Sequence, residues 1–363
     1  MAFSIEPRGE ASRLLVWATP LLAVLLTVAS GFFIFLAMGK NPFATLYHFF
    51  ISPVSNLYGL SELGLKAAPL IMIGIGLSLG FRANVWNIGA EGQLTMGAIA
   101  GGGVALLFWE QEGAFILPLM MLAGIAGGML YASIPAFLKT RFEVNEILTS
   151  LMLTYVATLF LSILVYGPWK DPEGFNFPQT RMFSDSALLP VILSGTRLHV
   201  GFVVAIAVAL FAWLLVSRTV TGFGIRTVGA APQAATFAGF DRNRTTWFCL
   251  LASGGLAGLA GLFEVAGPIG QLVPTLTPGY GFTAIIVAFL GRLHPVGIVL
   301  AGLLMALSYI GGENVQVEVG LPQAVTGVFQ GLLLFFILAT DFLTRYRIRR
   351  SVPKAGVRAG DDR

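Results

Sequence analysis

"RANVWNIGAEGQLTMG", residues 82–97, carries Arg82, Asn84, Asn87, Glu91 and Gln93 together with three glycines. The chain is apolar on both sides of it, over 61–81 and through the remainder of 88–108. Whether this stretch is an ordinary surface loop or a break in a buried helix decides the fold. Composition answers first. Hydrophobic residues make up 56% of the chain and charged residues only 11%, where soluble domains are about a quarter charged. No soluble fold of this length could bury so much apolar surface, so lipid must solvate much of it. The abundant, dispersed glycines suit close helix–helix contact in a bilayer. One cysteine, Cys249, excludes an intramolecular disulfide framework. His48, His199 and His294 form no metal-ligand pattern. The basic residues sit in connections between apolar runs, which argues against nucleic-acid binding.

A spanning helix needs about 20 apolar residues. Runs at 14–38, 61–81, 88–108, 114–138, 147–166, 198–217 and 245–265 qualify. The first follows Arg8 and Arg13, as a signal peptide would, but it is longer than the roughly 7–15 residues of a signal core and reads as an uncleaved helix. The C-terminal third is less regular. Residues 282–290 are too few to span, "GRLHPVG" follows, and then come 298–310 and 322–340. The pattern predicts an all-α membrane protein of about ten transmembrane helices, some short or broken, with 1–345 as a single transmembrane domain. With cytoplasmic N- and C-termini, 17 of the 22 basic residues fall inside and only Lys40, Lys66, Lys170, Arg181 and Arg197 outside. That asymmetry supports both the even count and the orientation. The basic tail, 346–363, reads as a stop-transfer flank, with a patch for lipid head groups as the alternative.

Two connections stand out by length. Residues 167–197 form an outer loop rich in aromatic and polar residues. Residues 218–244 lie inside, and "GAAPQAATFAGF" within them reads as a short helix, with Pro232 in its first turn and Gly239 past its end. Such a helix is a candidate docking knob for a motor protein; a partnerless amphipathic helix is the alternative.

Ionisable groups at membrane depth cost roughly 3 kcal/mol or more, so they call for a functional reading. Residues 84–92 read poorly as regular helix, which makes "NIGAEG" a broken or re-entrant start of the third segment. Such breaks are tolerated only where protein or water covers the backbone, and in transporters they line the path. Asn87, Glu91 and Gln93 are therefore candidate path residues, against the alternative of a polar cap. Asn145 and Glu146 open the fifth segment, where Asn145 suits a helix cap and Glu146 the helix dipole; a gating role is the alternative. Glu264, at the outer end of the seventh segment, reads as interfacial rather than solute-contacting. "PIGQLVPTLTPGYGF", 268–282, is either a connection or a broken helix beside the path. No G-x-x-x-x-G-K-[ST], H-E-x-x-H or G-x-S-x-G occurs. The chain carries no phosphate-cradling loop of its own and no catalytic constellation.

"FRANVWNIGAEGQLTMGAIAG", "FEVNEILTSLMLTYVA", "GFGIRTVGAAPQAATFAGF" and "PGYGFTAIIVAFLGRLHPVGIVLAGLL" occur in that order. They resemble the ABC-importer permeases of the sugar, branched-chain amino acid and nucleoside group over about 67–341. N-V-[FW]-N-I-G-A-E-G-Q and G-Y-G-F-T-A-I are most like the nucleoside branch, in its larger permease subunit. The resemblance implies a bacterial cytoplasmic (inner) membrane protein without ATPase activity or cofactor, ATP being bound by an ABC ATPase subunit. It also implies a second homologous permease subunit, in a heterodimer, and an extracytoplasmic substrate-binding protein. Arg226, Gly229, Pro232, Ala235 and Gly239 match the ATPase-docking segment. The chain departs from the pattern at Ala230 and Ala231, where Asn or Glu is frequent, and at Thr154, where Asn is usual. Thr154 joins the candidate path residues on that ground. A gradient-driven secondary transporter and an ABC permease for a simple sugar are the alternatives.

Overall fold

The computed structural model describes residues 2–7, 13–276 and 278–351, with side chains described over 18–276 and 278–340. Arg8 and the tail beyond 351 lie outside the described residues. Thirteen α-helices make up most of the described chain. One strand pair joins its two ends: β1 (Ala2–Pro7) lies antiparallel to β2 (Tyr346–Ser351), which takes up the first part of the basic tail.

Each of the ten apolar runs coincides with a helix. Seven helices are long and apolar enough to cross a membrane: α1 (Arg13–Ala37), α3 (Leu57–Arg82), α5 (Ile116–Phe142), α6 (Glu146–Tyr166), α7 (Gly201–Arg218), α10 (Arg242–Glu264) and α12 (Pro295–Val319). The other three fall short for separate reasons. α4 (Ala90–Leu107) has the length, but Glu91 and Gln93 stand in its first turns. α11 (Tyr280–Leu290) has 11 residues, or about 16 Å at 1.5 Å per residue, half of a bilayer core. The apolar part of α13 (Ala324–Arg345) is short. Three further short helices lie in connections: α2 (Pro42–Phe50), α8 (Val220–Ala230) and α9 (Pro232–Phe237). Residues 218–244 thus hold two helices where the sequence suggested one, because Thr219 caps α8 by accepting from the Gly222 N–H at 3.1 Å.

The chain divides into two compact units, residues 1–43 with 327–363, and residues 44–326. In the first, Phe35 and Phe329 stack at 5.4 Å and Gly31 receives the Phe329 ring edge. In the second, α3 is the centre, with 89% of its apolar stretch buried, followed by α10 at 72%. α5, α6 and α7 are only 22–28% buried. Their uncovered faces carry Leu130, Leu159, Ile163, Val203 and Phe211, as expected of helices that face acyl chains. Glycine sets the closest approaches. A Cβ at Gly97, Gly128 or Gly258 would overlap backbone of a neighbouring helix, so α4, α5 and α10 meet through small residues, as membrane helices do where van der Waals contact drives association.

Candidate functional site

Residues 83–89 are non-helical, as the polar interruption predicts. A buried irregular backbone needs partners for its N–H groups, and neighbouring residues supply most of them. The Ala83 and Val85 N–H groups donate to the Gly80 carbonyl, each at 2.9 Å. The Trp86 N–H donates to Glu146 Oε1 at 3.2 Å, and the Ile88 N–H to Ser150 Oγ at 3.1 Å. The Gly89 N–H donates to Asn87 Oδ1 at 3.1 Å. The first two turns of α6 are therefore a polar ladder for the linker. Glu146 also pairs with Lys139. Gly89 and Gly92 lie against Ser150 and Thr154 so closely that a Cβ would overlap them.

Asn87 and Gln93 face each other across the start of α4. Asn87 Nδ2 donates to Gln93 Oε1 at 2.8 Å, and Gln93 Nε2 donates back to Asn87 Oδ1 at 3.1 Å. Asn87 Nδ2 also donates to Ser253 Oγ of α10 at 2.9 Å. Both amides are almost wholly buried, so the network is satisfied internally and locks the linker to α4 and α10.

Glu91 reaches a different element. Its Oε2 accepts the Gly281 N–H at 2.5 Å, at the first turn of α11, where unpaired N–H groups and the helix dipole favour an anion. Gly281 must be glycine to let the α4 backbone come this close. The opposite end of α11 is clasped by aromatic rings and by Arg82. Phe289 stacks on Phe81 at 5.1 Å and on Trp86 at 5.9 Å. Arg82 Nε and Nη2 donate to the Leu293 carbonyl at 3.1 and 2.8 Å. Arg292 and Leu293 are both left-handed, with φ of 52° and 57°, a conformation that costs about 1–2 kcal/mol per non-glycine residue. The guanidinium fork thus holds a strained turn between α11 and α12. The polar stretch 82–97 serves largely as the cradle of one half-helix.

Arg82 also meets the α8–α9 segment. Gly229 packs on the Arg82 carbonyl, where a Cβ would overlap it. Basic ends converge here: the last turn of α5 meets the first turns of α10 through Trp247 Nε1 donating to Thr140 Oγ1 at 3.0 Å. Leu79, Val216, Ile225 and Leu250 form one apolar cluster beneath them. Within 226–239, Arg226, Pro232 and Gly239 are exposed, while Ala235 is buried and Gly229 half-buried. Pro232 opens α9 and Gly239 has φ of 85° just past its end. Phe237, 95% exposed on α9, was not singled out from the sequence.

The other end of the second unit holds a cavity of about 620 Å³. Its wall includes Lys66, Arg197, Glu264, Tyr280, Glu313 and Gln323. Glu264 is not at a helix terminus, because the helix continues through a π-helical turn, Val265–Ile269. Glu264, within this continued helix, lies on the cavity wall. Residues 167–197 wrap this end and are ordered by it. The Thr180, Phe183 and Leu189 N–H groups donate to the carbonyls of Leu272, Gly270 and Ala266. His199, 4% exposed, accepts the Gly201 N–H on Nδ1 at 3.1 Å and lies against Gly267 of the π-turn. Burial pulls its imidazole down from 6.5 to about 4.

None of Asn87, Glu91, Gln93, Asn145 and Thr154 lines this cavity. Asn145 caps α6, its Oδ1 accepting the Ile147 N–H at 2.9 Å. Thr154 is buried against Gly92. Lys66, Tyr280 and Glu313 were not singled out, although charged residues within or just past three separate apolar runs (66, 264 and 313) are a signal that the sequence carries.

Apolar helices with a half-helix and a polar cavity among them are the setting in which transporters hold their solutes. The chain belongs to the family described as branched-chain amino acid transport system / permease component, whose model matches residues 59–338. It is 37% identical over 362 residues to the glucose ABC transporter permease protein TsgB13 of Haloferax volcanii, covering 97% of this chain and 95% of that one. It is 31% identical to the guanosine ABC transporter permease protein NupP of Bacillus subtilis, covering 90% and 94%. Identity to the nucleoside ABC transporter permease protein NupB of Lactococcus lactis is 27%, covering 93% of each.

Proposed function

We propose that this chain is the permease subunit of an ATP-driven importer and forms the translocation path for a nucleoside-like solute. The observation that carries the ATP-driven reading is the α8–α9 segment: it exposes Arg226, Pro232, Phe237 and Gly239 while Gly229 seats it on Arg82. Force applied there by an ABC ATPase subunit passes through the Arg82 fork to the α11–α12 turn and so to the half-helix. ATP is bound and hydrolysed by that partner, and this chain needs no cofactor. Asn87, Glu91, Gln93 and Thr154 shape the path from behind, by fixing the linker and α11, and Asn145 does so by capping α6. The Arg82 end faces the cytoplasm, since the basic residues gather there, and the cavity faces outward, toward an extracytoplasmic substrate-binding protein. A second homologous permease subunit completes the path. The chain resides with both termini inside in the cytoplasmic (inner) membrane of a bacterium.

Two of the three relatives named carry guanosine or nucleoside in their names, which supports the nucleoside reading. The glucose permease, at 37% identity, supports a simple sugar as the second reading. The test is uptake of radiolabelled guanosine and of glucose by cells that express the whole system, with and without ATP depletion. ATP-dependent guanosine uptake that disappears on deletion of this chain supports the first reading. ATP-dependent glucose uptake alone would replace it with the second.

A further inference from the structure

Most charged groups around the 620 Å³ cavity are already engaged. Lys66 Nζ pairs with Glu313 at 2.7 Å. Arg197 Nε and Nη2 donate to the two oxygens of Glu62 at 3.0 and 2.5 Å. Glu264 differs: among the described residues, no group donates a hydrogen bond to its carboxyl. The Tyr280 side chain, 2% exposed, also lines the cavity, and its hydroxyl has no hydrogen-bond partner among the described residues. Both groups open onto the cavity with hydrogen-bonding capacity that no protein group among the described residues takes up, so a ligand in the cavity can use it. The volume lies within the range of about 300–1,000 Å³ typical of small-molecule sites.

We propose that this cavity is a solute site within the permease itself, where Glu264 and Tyr280 bind the hydroxyl groups of a neutral, hydroxyl-rich solute. A carboxyl group has lone pairs enough to accept from two neighbouring hydroxyls, and a phenol both accepts and donates. Such a pair matches a sugar ring or the ribose of a nucleoside. The cations in the wall already hold carboxylates, so a phosphorylated solute finds no unengaged positive charge and meets Glu264 instead. The site therefore selects against nucleotides and sugar phosphates. This inference rests on the importer reading above and deepens it.

The test uses the complete transport system in proteoliposomes, with guanosine, 2′-deoxyguanosine, guanosine monophosphate and glucose as probes, comparing wild type with Glu264→Gln and Tyr280→Phe. Both substitutions keep the side-chain shape, and solute-free ATP hydrolysis by the complex reports that each variant is assembled. The expected result is a KM for the transported solute raised about tenfold or more by Glu264→Gln, with solute-free ATP hydrolysis unchanged. Where guanosine is carried, its preference over 2′-deoxyguanosine also shrinks in that variant, and wild type does not move the monophosphate. If Glu264→Gln fails to assemble, Tyr280→Phe decides alone, and a severalfold rise in its KM supports the site. Unchanged KM in the assembled variants overturns the site while leaving the importer reading intact. Wild-type vesicles that move neither guanosine nor glucose overturn the importer reading, and the inference falls with it.

Discussion

At the scale of single residues, polar groups here divide into those that hold the backbone and those left open to the cavity. Asn87 belongs to the first kind. Replacing it with alanine strands Gln93 and Ser253 in a buried site, which costs about 1–3 kcal/mol for each unsatisfied group. The expected outcome for Asn87→Ala is a lower thermal midpoint in detergent; an unchanged midpoint would show that the amide pair adds nothing. His199 gives a pH signature. Its folded value of about 4 lies below its ordinary 6.5, so between those values the unfolded chain binds more protons than the folded one. Stability is then complete above about 6.5 and is lost as pH falls toward 4. The thermal midpoint should drop across that window in wild type and much less in His199→Gln. The cap on α6 was legible, because Asn145 and its partner Ile147 are neighbours in sequence. The role of Glu91 was not, because its partner Gly281 is 190 residues away and no local pattern announces it.

At the scale of elements, α11 is too short to span and is held in place by others, with Glu91 at its start and Phe81, Trp86 and Arg82 at its end. Arg82→Gln removes the charged fork from a turn with two consecutive left-handed residues. Allosteric couplings are typically worth about 5–150-fold, and the expected result is uptake lowered within that range while the ATPase still co-purifies. Loss of the ATPase from the purified complex would instead make Arg82 part of the docking surface. Gly258→Val tests the glycine contact among α4, α5 and α10. Its side chain would overlap the backbone of α5, so the variant should aggregate on size-exclusion chromatography where wild type is monodisperse. The helices themselves were legible from apolar run length. The end of α10 was not: the apolar run stops near 265, but the backbone continues through a π-helical turn containing Pro268, and Glu264 lies within the helix, on the cavity wall. The longer course of α12, past 310 to Val319, was masked in the same way by Glu313 and Glu318.

At the scale of the whole molecule, the apolar runs located the helices, and α3, α5, α8 and α10 bring basic residues together at the Arg82 end. The cavity could not be read, because 66, 264 and 313 come from three distant segments and only the packing brings them together. If the 218–244 segment receives force from an ATPase, the two must touch, and site-directed crosslinking in native membranes measures that contact most directly. The single native cysteine, Cys249, is free and buried, so it stays silent and one new thiol can be read alone. Phe237→Cys, at a 95% exposed position, should form an adduct with a subunit that carries a phosphate-binding loop. Val203→Cys, exposed on the face of α7, should form none with that subunit. A folded, membrane-inserted Phe237→Cys protein that never yields an ATPase adduct would contradict the ATP-driven permease and favour a transporter driven by an ion gradient.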